Sequence, residues 1–109
     1  MTIELPAPIA DYFDSDRSTD LDAIPRRFTE EATVEDEGRT YVGHEAIRRW
    51  KAASSRKYRY TAEPFAVEEE AALTIVTVHL VGDFPGSPID LRYRFALEGD
   101  RIAALEIGV

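Results

Sequence analysis

The hydrophobic period of this chain changes once, near Lys57, and that switch restricts its fold more than any other feature. Before it, apolar residues recur every three or four positions, and after it they alternate. Tyr58-Arg59-Tyr60-Thr61, Leu73 to Val81, Ile89 to Leu97 and Arg101 to Ile107 read as four strands. Between them lie an acidic turn at Glu68-Glu69-Glu70-Ala71, a turn-rich loop over 82–88 and a hairpin at Glu98-Gly99-Asp100. Helices first and a strand meander afterwards is the order of an α+β domain, with the sheet wrapped over the helices. The 109 residues are expected to form one domain.

In the helical half, Ile9, Tyr12 and Phe13 form an apolar stripe after Pro6, with Asp11, Asp14 and Asp16 assigned to the wet side and the helix ending near Arg17. A second helix is expected to hold Leu21, Ile24 and Phe28. Thr19 can cap it, or Asp22 can; the later start is preferred, because it puts Pro25 among first-turn groups that lack intrahelical partners. Ala32 to Asp36 reads as a short strand, followed by a Gly38 turn, Tyr41-Val42, and a helix from His44 to about Ser55. His44, at the helix start, is expected to face solvent.

Leu73 to Val81 is apolar on both faces, with Thr74, Val76, Val78 and Leu80 opposing Leu73, Ile75, Thr77, His79 and Val81. An antiparallel strand with one wet face should alternate cleanly, so the second face needs a cover. A homodimer through the outer sheet face is the expected cover.

A net charge of -8 disfavours nucleic acid and anionic membrane surfaces, whose affinity comes mainly from Lys and Arg. The absence of Cys excludes disulfides and thiolate chemistry. No run of about 18 apolar residues occurs, and the start, Met1-Thr2-Ile3-Glu4-Leu5-Pro6, lacks a basic cap, so a soluble cytoplasmic protein is expected. Two histidines without paired spacing predict no metal site. No phosphate-cradling glycine loop or serine elbow is present, and no cofactor is expected.

Asp11-Tyr12-Phe13, Asp20-Leu21-Asp22-Ala23-Ile24, Phe28, Ala32-Thr33-Val34-Glu35-Asp36, Gly43-His44-Glu45-Ala46-Ile47-Arg48, Pro88-Ile89-Asp90 and Tyr93-Arg94-Phe95 occur in a telling order and spacing. In these the chain resembles the nuclear transport factor two-like superfamily, in its SnoaL-like and ketosteroid isomerase-like branch, over essentially its whole length. The resemblance implies a cone, a curved antiparallel sheet around three N-terminal helices, whose open end takes a small apolar molecule, usually in a homodimer. It also implies Asp36 as general base and Tyr12 as hydrogen-bond donor to an enolate oxygen. The family's second donor is a protonated acid. It falls on Asp90 when Pro88-Ile89-Asp90 sets the register and on Leu91 when Tyr93-Arg94-Phe95 does; strand alternation turns Leu91 inward. Lys51 stands where the resemblance implies a supporting tyrosine.

Each candidate also has an ordinary structural reading. Asp36 can pair with Arg39 or cap a turn, and Tyr12 can be a core tyrosine with its hydroxyl satisfied. His79, if its face looks inward, is a second titratable group able to carry a proton. Phe13, Phe28, Val34, Ile47, Trp50, Tyr58, Tyr60, Phe84, Leu91 and Tyr93 are expected to wall the pocket. Three functions fit: a cofactor-independent isomerase, cyclase or dehydratase of an apolar carbonyl compound; a non-catalytic small-ligand-binding module; or a dimeric interaction module with a collapsed cavity.

Overall fold

A computed structural model describes residues 4–16, 22–57 and 59–109, without the side chains of 54–57. The first helix, α1 (Ala7–Asp16), starts on the Pro6 carbonyl, which accepts the N–H groups of Ile9 and Ala10 at 3.0 and 2.9 Å. Its apolar stripe is buried as the spacing requires, through Ile9, Tyr12 and Phe13. Tyr12 stands edge-on to Phe28 and Phe95, at 5.9 and 5.6 Å between ring centroids, which fixes α1 on the sheet.

Where a second helix was expected, a 3-10 turn at Pro25–Arg27 is present, and Phe28 already opens a strand. Pro25 starts the turn with its fixed φ and absent donor, and the Phe28 N–H closes it on the Pro25 carbonyl. Phe28 is extended (φ -110°, ψ 154°), so it leaves the helical stripe that the sequence suggested. The alternative cap, Thr19, lies outside the described residues, as does Leu21.

The strands are β1 (Phe28–Asp36), β2 (Arg39–Val42), β3 (Tyr60–Glu70), β4 (Leu73–Gly82), β5 (Ile89–Glu98) and β6 (Arg101–Gly108), and α2 (Gly43–Lys57) separates β2 from β3. They form one curved, unclosed sheet in the order β2-β1-β6-β5-β4-β3. Every pair is antiparallel except β1 with β6, which run parallel, because the chain leaves β1 and returns to its other side only at the end. The fold is the expected α+β cone, with two α-helices and a 3-10 turn among the described residues in place of three helices.

Alternation along β4 separates the two faces. Val76, Val78 and Leu80 join the core under the helices, whereas His79 and Val81 are exposed on the outer face. At the other end of the sheet, a two-residue turn joins β1 to β2. Glu37 (φ 53°) and Gly38 (φ 77°) are both left-handed, the conformation that lets a tight hairpin follow the strand twist. Asp36 is therefore the last paired residue of β1, opposite Arg39, and α2 packs directly over this corner.

Candidate functional site

The concave side of the sheet and the two helices enclose a cavity of about 390 Å³. Tyr12 of α1, Trp50 and Lys51 of α2, Asp36 and Glu37 at the end of β1, and Tyr60, Leu80, Leu91, Tyr93 and Ile107 from the other strands line it, with Phe84, Pro85 and Ile89 at the β4–β5 connection. It is an apolar room with its polar groups gathered mainly around α2, the usual composition of a small-molecule pocket.

Trp50 and Lys51 are consecutive on α2 and so point about 100° apart, toward opposite ends of the open sheet. The Trp50 Nε1–H donates to Asp36 Oδ2 at 3.0 Å, on β1. Tyr41 braces the indole, with centroids 6.2 Å apart. Lys51 turns the other way and donates from Nζ to the Tyr60 hydroxyl at 2.7 Å, on β3. One helix thus ties both walls of the cavity.

Lys51 is only 4% exposed, and its charge is balanced by an ion pair with Asp16 at the end of α1. Burial alone would push the ammonium down, but the Asp16 carboxylate and the Tyr60 oxygen outweigh it and hold Lys51 above the usual lysine range. It is a cation in the cavity wall. Its Nζ also sits 5.5 and 5.3 Å from the ring centroids of Trp50 and Tyr60.

The three cavity tyrosines differ. Burial drives Tyr12 and Tyr93 well above the ordinary tyrosine value, and the carboxylates of Asp16 and Asp36 push the same way. Burial also raises Tyr60, but there the Lys51 ammonium opposes it. The backbone of Tyr60 is held by Gly82, its partner in the β3–β4 register. A Cβ at Gly82 would lie 2.3 Å from the Arg59 carbonyl oxygen, so only glycine permits this approach.

Of the residues singled out in the sequence, Asp36, Tyr12, Trp50, Tyr60, Phe84, Leu91 and Tyr93 meet at the cavity. Phe13, Phe28, Val34 and Ile47 are buried in the core behind it, packed into the helix–sheet interface instead of facing the hollow. His79 does not reach the cavity: with Val78 and Leu80 turned inward, it must point outward, where its Nδ1 lies 2.6 Å from Asp90 Oδ1. That contact also settles the register on β5, with Asp90 outside and Leu91 in the cavity wall. Tyr58 lies outside the described residues. His44 is half-buried, its Nε2–H donating to the Phe28 carbonyl at 2.9 Å, and so does not face solvent freely.

Sequence reasoning missed the buried pair. The apolar stripe of α1 places Asp16 on the wet side, yet its side chain is 8% exposed. The available signal was its spacing: Asp16 is four residues after Tyr12 and therefore on the same face. No group of three or more His, Asp or Glu suited to a metal ion occurs among the described residues, and none of their helices is long and apolar enough to cross a membrane.

Fold and cavity together define a cystatin-like, nuclear transport factor two-like cone. Residues 9–105 match the model of the SnoaL-like domain, and the chain belongs to that family. It is similar to a protein of Sinorhizobium meliloti provisionally named a polyketide cyclase, at 41% identity over 94% of each chain with a TM-score of 0.90. A protein of ketosteroid isomerase-like fold from Catenulispora acidiphila, crystallised with trimethylamine, matches at 17% identity and TM-score 0.84, over 97% of this chain and 87% of that one. The epoxide hydrolase/cyclase-like enzyme SalBIII, of pyran ring formation in the polyether salinomycin, matches at 24% identity and TM-score 0.77, over 93% and 86%. No curated protein matches the chain.

Proposed function

We propose that this SnoaL-like domain takes a small apolar carbonyl compound into the cavity and that Asp36 moves a proton on it as general base, in a cofactor-independent isomerisation or cyclisation. The observation that carries this reading is the placement of Asp36: a carboxylate at the rim of an apolar hollow, with one oxygen held by Trp50 and the side chain lining the space a ligand would fill. A base so held needs no reorganisation before it takes a proton from carbon. The relatives provisionally named or described as cyclase-like support the reaction class.

Exchange of the α-protons of 2-tetralone in deuterated water, followed by NMR, tests this reading. The protein should accelerate exchange, and Asp36→Asn should abolish the acceleration while changing the ketone's affinity less than about threefold. Exchange that proceeds equally fast with Asn at this position overturns the base assignment. A non-catalytic binding module remains the second reading, since the same apolar walls would hold a ligand without turnover. The outer sheet face, where Val81 is exposed, is also our proposed homodimer contact, and its sign would be an unfolding midpoint that rises with protein concentration.

A further inference from the structure

The cavity holds a second polar device opposite Asp36, and the general-base reading does not use it. Lys51 and Asp16 form a buried ion pair on two different helices, and the pair ends on the Tyr60 hydroxyl. A phenol hydroxyl has one proton to give and two lone pairs to receive with. The Lys51 ammonium fills an acceptor position of Tyr60 at 2.7 Å, which directs the Tyr60 proton away from Lys51. Tyr60 itself lines the cavity.

We infer that Tyr60, backed by the Lys51–Asp16 pair, is the hydrogen-bond donor that receives the ligand's oxygen in this cavity, so that the site is built for molecules presenting an acceptor such as a ketone or ester carbonyl. This deepens the proposed function and rests on it only for the ligand class. Tyr12, the donor implied by family resemblance, has no cation behind it among the described residues: it is almost wholly buried among Phe13, Phe28 and Phe95, with carboxylates as its charged neighbours. An ammonium bonded to a hydroxyl oxygen strengthens what that hydroxyl donates, because charge-assisted bonds polarise the bonds that follow them. Lys51 is thus a positioning residue, acting through Tyr60, and Asp16 keeps the cation affordable in an apolar wall by neutralising it.

Infrared spectroscopy of bound naphthyl methyl ketone, isotopically labelled at its carbonyl, reads this donor directly. The probe can only accept at that oxygen, so the Asp36 carboxylate does not compete for it. In the unaltered protein the carbonyl band should lie below its position in hydrocarbon solvent. Tyr60→Phe should return the band to the hydrocarbon position and weaken binding about tenfold, the usual cost of one good hydrogen bond. Tyr12→Phe should leave the band where it lies in the unaltered protein.

The double variant Lys51→Met with Asp16→Asn keeps the Tyr60 hydroxyl and removes both charges, so it should retain a smaller downshift, a readout that lost packing alone would not give. If Tyr60→Phe fails to fold, this double variant still decides the matter. A downshift that survives Tyr60→Phe, one that disappears in Tyr12→Phe, one untouched by the double variant, or no binding of the ketone to the unaltered protein overturns the inference. Failure of the base assignment would look different, as unchanged proton exchange in Asp36→Asn with the carbonyl band still shifted.

Discussion

Two contacts in this molecule each join a side-chain nitrogen to an aspartate, and their surroundings are opposite. Lys51 and Asp16 meet under the helices with their side chains 6% and 8% exposed, whereas His79 and Asp90 meet on the outer sheet face at 46% and 53%. The first pair is out of water, joins two helices and supports a third group, Tyr60. The second is an ordinary cross-strand contact between directly paired residues. Burial separates a pair that organises a cavity from one that decorates a surface.

The largest consequence should appear when one member of the buried pair is removed. Lys51→Met leaves Asp16 charged and dry, and by analogy with other broken buried pairs this should cost about 3–5 kcal/mol in denaturant unfolding. Removing both charges, with Asp16→Asn added, should recover most of that loss. A single variant as stable as the parent would put water beside Asp16 and erase the contrast between the pairs.

Alkaline pH sharpens the same contrast at intermediate scale. Tyr12, Tyr93, Tyr60 and Lys51 all have folded-state values raised above their ordinary ones. The folded state therefore keeps its protons more tightly than the unfolded chain. The stability this supplies is fully present below the ordinary tyrosine and lysine values near 10 and is lost as pH rises through the folded values. Denaturant midpoints should be level near about pH 8 and fall steeply by about pH 11, less steeply in Tyr93→Phe. A midpoint that stays level would contradict the burial of these groups.

The smallest effect belongs to the outer pair. His79→Ala, measured on dilute protein, should shift stability by only about 0.2–1 kcal/mol, as exposed pairs do. A larger loss that grows with protein concentration would mean the outer face is covered by a second copy, as proposed, and the two pairs would then be less different than the single chain suggests.

Much of this was legible in the residues. The change of period near Lys57 marked off the four-strand meander that follows α2, and the stripe of Ile9, Tyr12 and Phe13 identified a buried helix face. Asp36 and Tyr12 could be placed at one hollow because the resemblance covered the whole chain. The second helix could not be read correctly, since Leu21, Ile24 and Phe28 fit helical spacing, yet the described part of that segment is a 3-10 turn at Pro25 that leads Phe28 into the sheet. Nor could the face of His79 be assigned, because β4 is apolar on both sides and a period of two does not say which side is inner.

The sequence by itself determined the fold class, the acidic surface charge and which residues alternate on each strand, because these follow from local periodicity and composition. Only the tertiary structure decided that neighbours Trp50 and Lys51 would grip opposite walls, that Asp16 would be buried, and that Tyr60 would meet Lys51. The reason is geometric. A helix turn sends adjacent side chains apart by a fixed angle, but what each one meets depends on how a curved sheet brings strands distant in the chain around it.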